Sequence, residues 1–337
     1  MIYIHVPFCR TFCTYCGFYS EIARRGTDFK SYCDGVCREI RERRAEIAET
    51  SEIHTLYIGG GTPSVLPLSC VLDIVAACRE VDGGDWDEFT FEMNPDDVTR
   101  EYAVALKKLG VNRVSMGVQS LDDCVLKWMN RRHDSQEAVK AYGILRDSGI
   151  ENVSLDMIFG IRGREIRQTL EGMIAMAPEH ISAYQLGIED GSALEKMIGE
   201  GRYSEADDEF CRSQYNEICR SLKAAGYRHY EISNWARPGF EARHNSAYWE
   251  RKPYVGIGPG AHSFCVGENQ IRSWNADTLT GWKEKGGREI LKPGEIREER
   301  MMLGLRREEG IDGKAIPEED WFVADSIITD LLLNSQE

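Results

Sequence analysis

The stretch Tyr3-Ile-His-Val-Pro-Phe-Cys9-Arg-Thr-Phe-Cys13-Thr-Tyr-Cys16 runs from a short apolar strand, Tyr3–Val6, straight into a cluster of cysteines spaced C-x3-C-x2-C. The chain has eleven cysteines; the other eight are scattered. Close spacing lets one loop wrap an iron–sulfur cluster with thiolates. Three ligands for four irons would leave one iron open to a substrate or cofactor. Two other readings compete: a zinc site with His5 as fourth ligand, and three cysteines acting as small buried side chains.

Working outward, the first two-thirds of the chain repeats strand, glycine turn and helix. Strands are expected at Thr55–Ile58, Glu88–Glu92, Arg113–Gly117, Val153–Ile158 and His180–Leu186. Helices are expected over Lys30–Glu49, Ser69–Val81, Arg100–Leu109, Asp122–Met129, Ser135–Ser148 and Ile166–Met176. This alternation predicts a parallel α/β sheet with helical crossovers, either doubly wound or barrel-like. Glu92, Asn94, Gln119, Asp156 and Gln185 gather at the C-terminal strand ends, where ligands bind in both architectures. Past about residue 188 the pattern changes to a long helix (Ser204–Ala225), a strand (Arg228–Ile232), a glycine- and aromatic-rich region, and a charged, mostly helical tail. The expected organisation is a main unit over 1–190 and a smaller accessory region over 191–337.

Composition narrows the function. The formal charge of −15 disfavours nucleic acid as a partner, because phosphate backbones repel an acidic surface. No apolar run reaches the roughly 18 residues of a membrane span, and the N-terminus lacks a charged region before its apolar run. The odd cysteine count argues for reduced thiols and a cytoplasmic location. Cys33 with Cys37, and Cys211 with Cys219, read as buried small side chains. Arg38–Arg44 reads as a solvated helix face.

The three-cysteine loop, followed by Gly60-Gly-Thr-Pro63 after the second strand, resembles the radical-SAM proteins. With Phe91-Glu-Met-Asn-Pro95, Val114-Ser-Met-Gly-Val-Gln-Ser120, Asp156 and Gly256-Ile-Gly-Pro-Gly-Ala-His-Ser263, the resemblance sharpens to the oxygen-independent coproporphyrinogen III oxidase superfamily, over about residues 1–306. It implies an open partial (β/α)6 barrel with a smaller C-terminal α+β accessory region. It also implies a [4Fe–4S] cluster on Cys9, Cys13 and Cys16, whose open iron chelates S-adenosylmethionine for cleavage to a 5′-deoxyadenosyl radical, and an electron donor for the cluster. By motif, Tyr3 and the backbone near Tyr15 would flank that cofactor. Gly60, Gly61 and Thr62 would hold its methionine end, and Glu92, Gln119, Arg131 and Asp156 would reach its charged and ribose groups. Arg132 is a rival to Arg131.

Two features point to the HemW-type haem chaperone branch. Phe18 stands where the oxidases carry a fourth cysteine, and His244-Asn245-Ser-Ala-Tyr248-Trp249 matches that branch's HN-x2-YW motif. The resemblance implies haem, or another tetrapyrrole, bound at His244, Asn245, Tyr248 and Trp249 and passed to an unidentified acceptor protein. From the residues alone, His244 reads equally as a structural histidine beside two core aromatics. The alternative function is oxidative decarboxylation of coproporphyrinogen III, so enzymatic activity stays open. His262 is a further candidate to line the cofactor cavity. The chain departs from the family at Arg162, where a proline is usual, and at Ser335-Gln-Glu, where relatives continue into a small terminal module.

Overall fold

In the computed structural model, which describes residues 1–50 and 52–334, the sheet is built from strands that alternate strictly between two kinds of face. The strands are β1 (Ile2–Val6), β2 (Thr55–Gly60), β3 (Glu88–Met93), β4 (Arg113–Gln119), β5 (Asn152–Phe159) and β6 (His180–Gln185). Leu56, Ile58, Phe89, Phe91, Val114, Met116, Val153, Leu155 and Ile181 belong to the main apolar core. Their neighbours Thr55, Glu88, Thr90, Arg113, Ser115, Ser154, His180 and Ser182 are buried and polar. Period-two alternation puts these two sets on opposite faces. Helices cover the apolar face, and the polar face lines an interior.

Each strand pairs in parallel with the next one along the chain. That unbroken order separates the two expected architectures: a doubly wound sheet reverses its strand order at a switch point, whereas crossovers of one hand in sequence curl the sheet into a barrel. Residues past 190 extend both edges. The antiparallel strands β7 (Arg228–Glu231) and β8 (Asn234–Ala236) continue from β6, and β9 (Val255–Ile257) lies parallel beside β1. Among the described residues the two edges do not pair, so the barrel is open.

The helix expected over Lys30–Glu49 is broken. Helix α1 (Phe29–Glu42), capped by the Asp28 carboxylate on the Ser31 N–H, ends at Arg43, and Arg44–Glu49 forms a separate turn. The cause is Arg43, which is buried and not part of a solvated face. Its guanidinium donates to the Gly256 carbonyl at 2.7 Å and to Ser263 Oγ at 3.1 Å, and pairs with the buried Glu39 at 3.5 Å. Glu39 in turn accepts from Trp282 Nε1 at 2.6 Å, Asn275 Nδ2 at 2.8 Å and the Gly258 N–H at 3.0 Å. One buried ion pair thus fastens residues 256–282 to the first crossover helix.

Two further boundaries differ from expectation. The long C-terminal helix starts at Asp208 rather than Ser204, because the Asp207 carboxylate caps it on the Phe210 N–H. The tail is less helical than its charge pattern implied. Gly287–Ile290 (β12) joins β10 (His262–Val266) and β11 (Gln270–Trp274) in an antiparallel sheet, with Ile271 opposite Ile290. Cross-strand pairing overrides the local composition there. Ser335–Glu337, where the terminal module is expected to be cut short, lie outside the described residues.

Glu39→Ala should lower unfolding stability by about 1–3 kcal/mol in anaerobic denaturant titrations, since it strands three donors, Trp282 Nε1, Asn275 Nδ2 and the Gly258 N–H, while Arg43 keeps Glu46 as a partner at 2.6 Å. Glu39→Gln, which keeps an acceptor oxygen, should lose less. A loss under about 1 kcal/mol for the alanine variant would contradict the role given to this pair.

Candidate cofactor site

A cavity of about 570 Å³ opens at the C-terminal mouth of the barrel. Cys9, Cys13 and Cys16 line one side of it. The opposite walls bring together Tyr3, Tyr15, Gly60, Gly61 and Thr62 with Glu92, Gln119, Arg131 and Asp156, the residues that motif matching singled out.

The cysteine loop is tied down before any ligand is considered. Phe8–Cys9 pairs with Glu21–Ile22. Thr14 donates from its N–H to the Met129 carbonyl at 3.1 Å and from its hydroxyl to the Trp128 carbonyl at 2.8 Å. Asn130, held at φ 59°, donates from Nδ2 to the Phe12 carbonyl at 2.7 Å. The short helix Asp123–Trp128 after β4 therefore positions the loop across the cavity mouth.

The glycines allow close approach. A Cβ on Gly61 would lie 2.9 Å from the Phe8 carbonyl oxygen and 3.0 Å from Cys9 Sγ; one on Gly60 (φ +113°) would meet the His5 ring at 2.8 Å. Only glycine lets the second strand's end sit against the cysteine loop. Thr62 Oγ1 donates to Cys9 Sγ at 3.4 Å.

Glu92 is half-buried at the cavity wall, accepting from the Tyr57 hydroxyl at 2.6 Å and the Gly60 N–H at 3.1 Å. Burial raises its carboxyl to about 7, despite those two donors. Asp156 is raised as well, chiefly by burial, and accepts from Ser115 Oγ at 3.1–3.2 Å and Ser154 Oγ at 3.2 Å. Gln119 has φ 66° at a register shift in β4, which turns it into the cavity. The two adjacent arginines part company. Arg131 points inward, donating to Cys13 Sγ at 3.4 Å, to Asn94 Oδ1 at 2.7 Å and to the Gly117 carbonyl. Arg132 pairs with Asp96 and Asp97.

The donor set suits a cluster and not one ion. Among the described residues no three His, Cys, Asp or Glu side chains converge on a single-ion site. His5, the fourth ligand of the zinc reading, is engaged elsewhere: Nδ1 with the Tyr3 hydroxyl at 2.9 Å, Nε2 with the Tyr19 carbonyl at 3.4 Å. What remains is three thiols at a cavity mouth, with the Arg131 guanidinium against Cys13; burial pushes the Cys9 and Cys16 thiols up, so thiolates there would depend on the iron they ligate. Phe18 is 76 % exposed there and offers no further donor.

The remaining candidates lie elsewhere. His244 takes the structural of its two readings. It is fully buried, with Nδ1 bonded to Thr55 Oγ1 at 2.8 Å and Nε2 to the Tyr248 hydroxyl at 2.9 Å. Placed so, it has no nitrogen free for iron; it plugs the barrel floor against Tyr57, whose ring centre is 5.0 Å away. Asn245, Tyr248 and Trp249 face a second chamber of about 780 Å³, between the two open edges of the barrel. His262 lines neither cavity and stacks on Trp274. Arg162 is exposed, and its N–H donates to the Tyr203 hydroxyl at 3.0 Å, a bond that proline could not make. Sequence reading gave no role to Tyr57, Ser115 or Asn130. The period-two alternation placing Tyr57 and Ser115 on the polar face was the available signal; nothing local marked Asn130.

Comparison with known proteins agrees with this geometry. The model of the Radical SAM superfamily matches residues 3–177. The "Heme chaperone HemW" of Lactococcus lactis is 31 % identical over 92 % of this chain and 82 % of its own length. That of Mycobacterium tuberculosis is 32 % identical over 99 % and 88 %. "Radical S-adenosyl methionine domain-containing protein 1, mitochondrial" of Bos taurus is 30 % identical over 92 % and 74 %. Among solved structures, coproporphyrinogen III oxidase (HemN) of Escherichia coli superposes with a TM-score of 0.76 at 20 % identity, covering 91 % of this chain and 75 % of that one, a likeness of fold. The chain belongs to the radical SAM superfamily and, within it, to the family of the HemW haem chaperones.

Proposed function

We propose that this protein binds a [4Fe–4S] cluster and S-adenosylmethionine at the barrel mouth, binds haem in the lateral chamber, and hands haem to an acceptor protein in the cytoplasm. The observation that carries the reading is the pairing of a three-cysteine cavity, with Phe18 where a fourth thiol would stand, with similarity to haem chaperones over nearly the whole chain. Residues 1–190 supply the cofactor cavity. Residues 191–337 form the accessory region that supplies most of the chamber.

When bound, the cluster supplies an open iron for the amino-acid end of S-adenosylmethionine, and a protein electron donor would reduce it. The chain's own residues do the positioning. Cys9, Cys13 and Cys16 hold the cluster, and Arg131 offsets thiolate charge at Cys13. Gly60, Gly61 and Thr62 offer backbone groups to the methionine end. Glu92, once ionised, pairs with the ammonium, and Asp156 accepts from ribose hydroxyls. Tyr3, Tyr15 and Gln119 complete the walls. The second reading, coproporphyrinogen decarboxylation, is favoured only by the shared fold with the oxidase.

In an anaerobic assay, haem-loaded protein should transfer haem to an apo-haem protein, and coproporphyrinogen should lose no carbon dioxide while S-adenosylmethionine is present. Carbon dioxide release coupled to cofactor turnover would replace the chaperone reading with the enzymatic one. Cys16→Ala should abolish cluster assembly, read as iron and sulfide content; an unchanged content would remove the shared premise. Glu92 must lose a proton to pair with an ammonium, so affinity for S-adenosylmethionine should rise as pH passes upward through about 7. Glu92→Gln should bind about tenfold more weakly at pH 8, with a flat profile; an unchanged slope would assign the titration elsewhere.

A further inference from the structure

The side chains around the lateral chamber sort by whether they could hold a metal. Among the described residues that line it there is no histidine, cysteine or methionine. His244, in the helix that carries Tyr248 and Trp249, is sealed behind the wall with both ring nitrogens bonded. The acids are already engaged. Glu299 pairs with Arg251 at 2.7 Å and with Arg272, Asp325 pairs with Arg306 at 2.5 Å, and Glu231 is enclosed against Asn234. Lys252 is paired with Glu52 at 2.8 Å. The anionic donors left are the phenol oxygens of Tyr184, Tyr248 and Tyr254, and tyrosine is one of the side chains that ligate haem iron.

The three phenols are not equivalent. Tyr248 gives its hydroxyl to His244 Nε2 at 2.9 Å, and burial, with Tyr254, Tyr3 and Glu92 nearby, pushes that phenol well up. Tyr184 borders the cofactor cavity as well as the chamber. Burial and the charges of Asp156, Glu231 and Glu92 oppose a phenolate there. Tyr254 differs on each count. Its hydroxyl is bonded to no side chain among the described residues and keeps accessible surface in the chamber wall. Burial raises this phenol too, but the charge beside it is the Arg272 guanidinium, which favours the phenolate. Glu289 at 3.0 Å and Glu299 hold that guanidinium in place. Tyr254 is itself fixed: its backbone exchanges hydrogen bonds of 2.9 and 3.0 Å with Phe264, and its ring stands edge-on to Tyr248 with centroids 4.7 Å apart.

We infer that Tyr254 is the residue through which the chain ligates ferric haem in the lateral chamber, with Arg272 as the residue that positions charge beside its phenolate. This rests on the haem reading above and deepens it by naming the ligand. On binding, Tyr254 gives its phenol proton to water and bonds the iron through oxygen. The iron's solvent ligand leaves, and no electron moves.

The test is an anaerobic titration of the full-length, cluster-reconstituted protein with ferric haem, read by absorbance and resonance Raman. It compares the unmodified chain with Tyr254→Phe, Tyr184→Phe and Tyr248→Phe. The unmodified protein should show the charge-transfer band and ring vibrations of an iron-bound phenolate. Tyr254→Phe should lose both and bind ferric haem about tenfold more weakly, while metal-free protoporphyrin binds within about twofold of the unmodified chain, a split that a purely structural role would not give. Tyr184→Phe and Tyr248→Phe should keep the phenolate signature. Circular dichroism and cluster content of each variant report whether it has folded. Saturable haem binding without a phenolate signature in the unmodified protein, or a signature that survives Tyr254→Phe, would overturn the inference while leaving the haem reading intact. No saturable haem binding at all would overturn both.

Discussion

The buried pair Glu39–Arg43 decides where one edge of the open barrel stands. Its partners, the backbone of Gly256 and Gly258 and the side chains of Ser263, Asn275 and Trp282, belong to the segment that lays β9 beside β1 and continues into Tyr254 and Phe264 on the chamber wall. A buried charge pair is seldom a net source of stability, but it is intolerant of alternatives, because moving either partner leaves an uncompensated charge in the interior. Here that intolerance acts through position. With one edge pinned to the first crossover helix, the gap to the other edge strand, β7, is set from that side.

The interior behind that gap is unusually polar for a parallel sheet, whose strands normally read as continuous apolar runs. Carboxylates on successive levels of the barrel, Glu88, Glu92 and Asp156, are met by Arg113, Tyr57 and serine hydroxyls. Arg113 is nearly completely buried, and its guanidinium and these carboxylates balance one another across the barrel. Burial pushes the carboxyls of Glu92 and Asp156 up, so that a cationic ligand arriving at the mouth would favour their ionised forms. The same low-dielectric setting around Arg131 strengthens its hold on the thiols.

Much of this was legible in the sequence. The strand–helix alternation gave the sheet, and the clustered cysteines with Gly60-Gly61-Thr62 located its working edge. Strand ends at Glu92, Gln119 and Asp156 marked residues that do meet in one cavity. Three readings failed for physical reasons. Arg43 looked like part of a solvated basic face, because its partners more than 200 residues away, the Gly256 carbonyl and the Ser263 hydroxyl, leave no local trace. Gly287–Ile290 sits in a charged segment whose strand exists only through pairing with β11. At His244 the haem contact implied by the motif gave way to the structural histidine that the residues equally allowed, because whether a histidine nitrogen is free depends on its neighbours, and Thr55 could be recognised as one only once the fold was known.

The bonds that join Phe12 and Thr14 to the segment 128–130 have a bearing on how the cluster is acquired. In small metal-dependent folds the ligands meet only when the ion arrives, so binding and folding are one event. Here the cysteine loop is anchored by hydrogen bonds that involve no sulfur. Cluster acquisition is then a loading step on a finished scaffold, separable in time from chain folding. A cluster destroyed by oxygen leaves behind a folded, refillable vessel rather than a denatured chain.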